Sequence, residues 1–212
     1  INTVEIEDGG DLKTTVKVMG EHKNIDGSEF LRYIIRFSVF YDENEIKIIH
    51  TFLYDGDEKT DFIKGVGVQL TRKMEGELYN RRIKITGDCG VMHETMQLLN
   101  LWRPRLGPSI GIQPIYSKQL AGEKVSLSEM FDLRNGNAVT KEEIDNVTKW
   151  DSYRLKQVTA DSFEVKKRTG HEECTFIKAN WGKRSKGLMY IADETKGTAF
   201  CMHNFWEKYP TS

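Results

Sequence analysis

The sequence is poor in the residues that would assign it to several special protein classes. It has three cysteines and four prolines in 212 residues. Cys89, Cys174 and Cys201 follow no metal-ligand spacing, and an odd number leaves at least one thiol without a partner. We therefore expect neither a disulfide framework nor a cysteine-based metal site. We predict unpaired, buried thiols, and one disulfide is the alternative.

Long apolar runs and an excess of charge of one sign are also missing. No run approaches the roughly 18 apolar residues that a membrane-spanning helix needs. The 31 Lys and Arg residues are balanced by 32 Asp and Glu residues, which leaves a net charge of −1. Because no basic field extends over the chain, neither a nucleic acid nor a membrane is an expected partner.

The motifs of metal, nucleotide and serine-hydrolase sites are missing too. The sequence has no histidine pair with metal-ligand spacing, no glycine-rich phosphate loop and no Gly-x-Ser-x-Gly elbow. We expect no cofactor and no metal. One possible exception is calcium at the Asp55-Gly56-Asp57 turn, because carboxylates on a turn are the hard ligands that this ion prefers.

What the sequence does contain is alternation of apolar and polar residues, which is typical of β-strands. The clearest example runs from Leu31 to Tyr41, and the turn that follows predicts a hairpin with Glu45–Tyr54. Roughly eleven segments read as strands: Val4–Glu7, Leu12–Lys23, Leu31–Tyr41, Glu45–Tyr54, Phe62–Leu70, Arg81–Thr86, Tyr153–Thr159, Phe163–Lys167, Cys174–Trp181, Gly187–Ala192 and Gly197–Trp206.

These strands predict an all-β fold, an antiparallel β-sandwich of long strands. We expect one domain over residues 1–212, with a short helical insertion near residues 117–150. Thr140 and Glu143 form a capping box there, which predicts a helix of two or three turns. Gly65 and Gly67 lie on one face of a predicted strand and suggest a bulge, a bend or a closely approaching chain.

The two ends suggest a piece of a larger protein. The last predicted strand carries large side chains on both faces, which is typical of a strand that is covered on both sides. Only six residues follow Trp206, and the chain begins with Ile1 already inside a strand pattern. We therefore expect further domains outside these 212 residues.

Four stretches, in this order, resemble the exo-rhamnogalacturonan lyase family, which is also called YetA-like. The stretches are Ile49–Val68, Phe163–Gly170, Gly182–Tyr190 and Phe205–Pro210. The resemblance extends from about Phe30 to Tyr209 and covers the insertion poorly. It implies the central β-sandwich of a multidomain protein, with an N-terminal β-barrel and a C-terminal α/α toroid. It also implies a secreted or periplasmic protein that degrades pectin.

The activity that the resemblance implies is β-elimination in a uronate-containing polysaccharide. This reaction needs a base for the C5 proton, an acid for the departing O4 oxygen, and cations or donors for the uronate carboxylate. His203 and Tyr209 are the candidates for the base and the acid. The alternatives are a core or interface histidine and a tyrosine that packs at a domain boundary.

Six further residues are candidates for substrate binding. Arg168, Lys183 and Arg184 form a basic group near turns, and arginine is the better carboxylate clamp because its planar fork bonds both oxygens. The alternative for this group is an ordinary solvated surface. The other candidates are Asn204 and Trp206, which share a face of the last predicted strand, and His93 in an irregular segment. A core tryptophan and a plain loop histidine are the alternatives.

Two functions from different classes stay open at this point. The first is an enzyme, in which the chain supplies the sandwich and part of the cleft of a polysaccharide lyase. The second is a non-catalytic carbohydrate-binding or scaffold domain. A relative that acts on another uronate polymer, or that hydrolyses instead of eliminating, is a third possibility because one fold supports different reactions.

Overall fold

The structure is a computed structural model that describes residues 1–99, 113–126, 131–132, 137–138, 140–170 and 173–212. The chain divides into two compact units, Ile1–Leu70 and Thr71–Ser212, each of which is described by itself. The expectation of a single domain stays a prediction. No helix in the described part of the chain has the length and apolar character to cross a membrane.

The first unit is one antiparallel sheet of four strands in sequence order. Its strands are β1 (Thr3–Gly9), β2 (Lys13–Lys23), β3 (Glu29–Phe40) and β4 (Ile46–Leu53). The turn between β2 and β3 has residues that favour a tight turn: Gly27 has a φ of 87°, and the Asp26 carboxylate accepts the Ser28 N–H at 2.9 Å. The four predicted strands and the predicted hairpin between β3 and β4 are confirmed.

The alternation in these strands divides the sheet into an apolar and a polar face. Cross-strand rows such as Val18–Ile35–His50 and Val16–Phe37–Ile48 make up the apolar face. On the polar face Arg36 donates two hydrogen bonds to the Glu7 carboxylate, at 2.6 and 2.9 Å. A two-residue period therefore sorts the side chains as expected.

The predicted strand Phe62–Leu70 is wrong. This segment has no strand, and its apolar side chains are exposed: Phe62 at 81% and Leu70 at 58%. A Cβ added at Gly65 or Gly67 would meet no atom within 4 Å, so no chain approaches these glycines closely. An alternating sequence becomes a strand only where a neighbouring strand pairs with its backbone, and alternation alone cannot supply that neighbour.

The second unit is an antiparallel β-sandwich of two sheets, and this confirms the predicted fold class. Its strands are β5 (Arg82–Thr86), β6 (Val91–Thr95), β9 (Trp150–Thr159), β10 (Ser162–Thr169), β11 (Ile177–Gly182), β12 (Leu188–Ala192) and β13 (Gly197–Cys201). One sheet has the order β13-β12-β5-β6 and the other the order β11-β10-β9. The segment that contains β6 carried no strand prediction.

Side chains from both sheets of the sandwich form its core. Ile85 of β5 packs in one buried cluster with Leu155, Phe163 and Val165 of the other sheet and with Phe205. Because alternate residues of a strand point to opposite faces, Ile83 and Ile85 point inwards and Arg82 and Lys84 outwards. The outer face of this sheet thus carries polar side chains.

The predicted helical region contains α1 (Gln113–Ala121), β7 (Phe131–Asp132), β8 (Asn137–Ala138) and α2 (Lys141–Asp145). The capping box is confirmed: Thr140 Oγ1 accepts the Glu143 N–H, and the Glu143 carboxylate accepts the Thr140 N–H. Helix α2 is only five residues long, shorter than predicted. Residues 127–130, 133–136 and 139 of the predicted insertion lie outside the described residues.

The predicted strand Gly197–Trp206 is correct only as far as Cys201, where β13 ends. A turn follows, with Asn204 at a φ of 56°, and a short 3-10 helix covers Trp206–Lys208. Asn204 and Trp206 therefore do not share a strand face. Phe205 is the buried residue of this segment, because the turn directs it into the core of the sandwich.

All three cysteines are free, as expected, but the prediction that they are buried is wrong. Cys89 and Cys201 are exposed, and Cys174 is half-buried. Cys201 follows an alternating pattern that suggested cover on both faces of its strand. In the part of the chain that the structure describes, β13 is the edge strand of its sheet, and Cys201 is its exposed last residue.

Candidate functional site

The structure brings two of the predicted binding residues together. The guanidinium carbon of Arg184 lies 4.3 Å from the ring centre of Trp206, and Arg184 Nε donates to the Asp161 carboxylate at 2.8 Å. Trp206 is half-buried, whereas Arg184 is exposed. A guanidinium beside an indole ring offers a cation and an apolar surface to one sugar unit.

Buried polar residues fix the segment that carries Lys183 and Arg184. Gln157, which is fully buried, donates to the Lys183 carbonyl at 2.8 Å and accepts the Ser185 N–H at 3.1 Å. Ser185 Oγ donates in turn to the Thr86 carbonyl at 2.6 Å. The backbone between β11 and β12 is thus held while both basic side chains face solvent.

The predicted base and acid lie on the surface near this group. His203 and Asn204 are exposed on the turn after β13, and Tyr209 is 49% exposed after the 3-10 helix. His203 is therefore not a core histidine. The catalytic role of His203 and Tyr209 and the binding role of Asn204 stay predictions.

Arg168 lies elsewhere in the sandwich. Asp161, which pairs with Arg184, directly precedes β10. Arg168 lies on β10, six residues after its first residue, Ser162. At about 3.3 Å per residue, the strand carries Arg168 about 20 Å away from that end. Its guanidinium carbon lies 4.7 Å from the Phe176 ring centre. The structure thus separates Arg168 from Lys183 and Arg184.

His93 belongs to a row of polar side chains that strand pairing brings together. It lies on β6 directly opposite Lys84 of β5, and Lys84 lies directly opposite Tyr190 of β12. Direct cross-strand neighbours have Cβ atoms about 4.5–5.5 Å apart. Lys84 Nζ is 6.0 Å from the Tyr190 ring centre. We call Tyr190, Lys84 and His93 the outer row; Arg82 lies one row away on the same face.

The surroundings of His93 favour its neutral form. Burial lowers the pKa of the imidazole, and the positive charges of Lys84 and Arg82 lower it further. His93 Nε2 is buried without a hydrogen-bond partner. A ligand on this face would therefore meet the ring at Nδ1, and a neutral ring has one nitrogen free to accept a proton.

The sequence contains a signal for one strand of the outer row. In Arg82–Thr86 the isoleucines alternate with basic residues, so a strand that buries Ile83 and Ile85 must present Arg82 and Lys84 on one face. The sequence could not show that His93 lies opposite Lys84, because that register depends on strand pairing.

No group of three or more metal-ligating side chains occurs among the residues that the structure describes. At the Asp55–Asp57 turn both carboxylates accept hydrogen bonds from backbone N–H groups. Asp55 accepts the Leu31 N–H at 3.1 Å, and Asp57 accepts the Lys59 N–H at 2.8 Å. Calcium binding at this turn stays a prediction.

Comparison with known proteins identifies the sandwich. The family model described as "PcRGLX-like protein central beta sandwich domain" matches residues 1–212. The chain is 32% identical over 219 aligned residues to the uncharacterized protein YetA of Bacillus subtilis strain 168. The alignment covers 100% of this chain and 24% of that relative, so the chain spans about a quarter of its length. The chain thus belongs to the family of PcRGLX-like central β-sandwich domains, a family related to rhamnogalacturonan lyases.

Proposed function

We propose that the chain is the sandwich domain of a polysaccharide lyase that cleaves a rhamnogalacturonan-type uronate polysaccharide by β-elimination. The observation that carries this proposal is the outer row. A cation, a histidine with a lowered pKa and a phenol lie side by side on one face of a sandwich from this family. These are the three kinds of group that the reaction requires.

The outer row can supply each step of the elimination. Lys84 and Arg82 bind the uronate carboxylate and stabilise the negative charge that develops when C5 loses its proton. His93 takes this proton at Nδ1. The C4–O4 bond breaks, a C4=C5 double bond forms, and the Tyr190 hydroxyl donates its proton to O4. One proton is taken and one is given, so the step needs no cofactor.

The group around Arg184 and Trp206 is the second candidate for this site. Trp206 offers a ring for stacking on a sugar, and Arg184 offers a cation beside it. His203 and Tyr209 would then act as base and acid, with Lys183 and Asn204 as further donors. The outer row is favoured because its members are direct cross-strand neighbours, whereas His203 and Tyr209 are separated by the 3-10 helix.

A non-catalytic role is the alternative, and the relative's length favours it for the isolated chain. Since the chain spans 24% of YetA, catalytic groups can lie in other parts of a longer protein. Under this proposal the partners are a uronate polysaccharide and, in that longer protein, an N-terminal β-barrel and a C-terminal α/α toroid. The site of action is outside the cytoplasm, where the polymer occurs.

The test is a direct assay for the unsaturated uronate, whose conjugated double bond absorbs in the ultraviolet. The 212-residue chain and the product of the complete reading frame are each incubated with rhamnogalacturonan I backbone oligosaccharides. We expect the absorbance to rise with the longer product. A rise with the chain alone would place every catalytic group within its residues.

Variants separate the two candidate sites. His93→Gln, Lys84→Met and Tyr190→Phe each remove one function of the outer row, and we expect losses of about 10²-fold or more in kcat. Lys141→Met, on exposed α2, is the matched control. If instead His203→Gln or Tyr209→Phe abolishes activity, the site lies at the C-terminal group. If no uronate polymer yields the unsaturated product, the lyase proposal is wrong.

A further inference from the structure

We propose that the outer face of the β11-β10-β9 sheet is a second, non-catalytic binding surface for an anionic polysaccharide. We call it the basic face and define it by Arg154, Lys156, Lys166, Arg168, Lys178 and Trp181. It belongs to the opposite sheet of the sandwich from the outer row. The choice of a uronate polymer as the ligand rests on the proposed function. The positive charge and the exposed aromatic ring of this face are observed independently of that function.

The strand register places these side chains together. Trp181 pairs with Glu164, which pairs with Lys156 on its other side. In the next row Lys178 pairs with Lys166, which pairs with Arg154. Phe163 and Val165, which alternate with Glu164 and Lys166 along β10, are buried in the core, so the rows lie on the outer face.

The charges on this face are not balanced. Glu164 is the carboxylate within the two rows; Lys166 Nζ lies 2.7 Å and Lys178 Nζ 3.9 Å from its oxygens. Lys156 has no ion pair among the described residues, and the Arg154 guanidinium lies over the Phe176 ring at 4.7 Å. The two rows therefore carry four cations against one anion, a surplus that suits an anionic ligand.

An exposed aromatic ring lies at the edge of the same face. Trp181 is 67% exposed, and Lys178 Nζ is 5.9 Å from its ring centre. An indole that faces solvent next to a cation offers stacking to the apolar face of a sugar, while the cation reaches a carboxylate. The ring is carried by a residue of strand β11.

The spacing of the face suits an extended chain of charged sugars. Neighbouring strands lie about 4.8 Å apart, and side chains of one face recur about every 6.6 Å along a strand. The cations are thus spread over a flat surface and not gathered into one pocket. A groove of about 490 Å³ at the edge strand β9 is lined by Arg154 and Phe176 together with Asp151, Tyr153 and Leu155. A nucleic acid is less favoured because the whole chain has a net charge of −1.

The experiment measures binding of polygalacturonate to the 212-residue chain by isothermal titration calorimetry. The fully methyl-esterified polymer, which has the same sugars without charge, and single-stranded DNA are the comparison ligands. The test variants are Trp181→Ala and the double variant Arg154→Glu/Lys156→Glu. The matched control is Lys59→Glu/Lys141→Glu, which makes the same charge change at two exposed lysines elsewhere.

We expect both test variants to weaken polygalacturonate binding about tenfold or more while the control binds as the native chain does. Far-ultraviolet circular dichroism and thermal unfolding confirm that each variant is folded. Unchanged binding by the test variants, or equally strong binding of the esterified polymer or of DNA, would overturn the proposal. Lyase activity on short oligosaccharides should be unaffected by these variants and lost in His93→Gln, so each proposal can fail separately.

Discussion

Lys84 lies directly opposite His93 across the β5-β6 pair, and both side chains occupy the outer face of their sheet. Burial of the ring lowers the pKa of His93, and the positive charges of Lys84 and Arg82 lower it further. This relationship joins a surface cation to a half-buried imidazole. It makes the ionisation of one group depend on the charge of the other.

The first prediction concerns this coupling. Replacing Lys84 by Met removes one of the positive charges that disfavour the imidazolium, so the pKa of His93 should rise towards its ordinary value of about 6.5. A titration followed by NMR measures this pKa, and His93→Gln assigns the signal among the five histidines. If His93 has a role as base, the acid limb of the activity profile should move in the same direction.

The lowered pKa of His93 also makes the folding stability of the chain decrease as the pH falls. Because the pKa of folded His93 is lower than that of the unfolded chain, the unfolded state binds more protons as the pH falls from about 6.5. The contribution of His93 to stability is therefore present at neutral pH and is lost below that value. His93→Gln should weaken this pH dependence, and Lys141→Met should not change it. A native His93 pKa at or above 6.5 would contradict both expectations.

The second prediction concerns Gly187, which has a φ of 72° and precedes β12. A Cβ at this position would lie 2.3 Å from Cβ of Phe205. Gly187→Ala should therefore destabilise the second unit by about 1–2 kcal/mol for the backbone and about 1–3 kcal/mol for the overlap. Thermal unfolding measures the loss. Gly65→Ala, which meets no atom within 4 Å, is the control and should be nearly neutral.

The third prediction compares Phe205 and Trp206, which the alternation placed on opposite faces of one strand. Phe205 is 5% exposed and belongs to the core, whereas Trp206 is half-buried beside Arg184. Phe205→Ala should lower the free energy of unfolding by about 3–5 kcal/mol, as large-to-small core changes do. Trp206→Ala should cost clearly less. Chemical denaturation measures both losses, and a larger loss for Trp206→Ala than for Phe205→Ala would contradict the core position of Phe205.

The fourth prediction concerns Asp193, a buried carboxylate whose two oxygens accept five hydrogen bonds. The donors are Glu75 N, Gly76 N, Thr195 N, Thr195 Oγ1 and Lys196 N, at 2.7–3.0 Å. The Gly76 N–H and the Thr195 hydroxyl are foremost among the groups that hold the pKa of Asp193 well below its usual range. Asp193→Asn would set an amide NH₂ against these donors, so the melting temperature should fall by several degrees.

The pH dependence provides a second measurement for Asp193. A folded-state pKa below the unfolded value of about 3.8 gives stability that is present above that pH and lost as the pH falls below it. The melting temperature of the native chain should thus decrease in this acid range, and that of Asp193→Asn should decrease less. Glu58→Gln, at an exposed position, serves as the control for removal of a carboxylate.

Much of the fold follows from local patterns in the sequence. Alternation predicted β2, β3 and β4 to within about two residues, and the capping box of Thr140 and Glu143 was found as expected. The capping box depends on contacts between residues that are close in the chain. The strands depend on regular alternation of apolar and polar side chains. The failures lie where pairing decides the outcome: Phe62–Leu70 alternates without a partner strand, and β6 forms because β5 pairs with it.

The candidate sites, like the fold, have some features that the sequence determines and others that only strand pairing determines. The sequence by itself determined the all-β class and the inward and outward faces of most strands, because these depend on composition and a two-residue period. The family was indicated by the resemblance of four stretches and is shown by the family model. Only the tertiary structure decided that His93 faces Lys84, that Arg168 lies far from Arg184, and that the chain turns at Asn204. Register and sheet order are set by backbone pairing between segments that are distant in sequence, and no local pattern specifies that pairing.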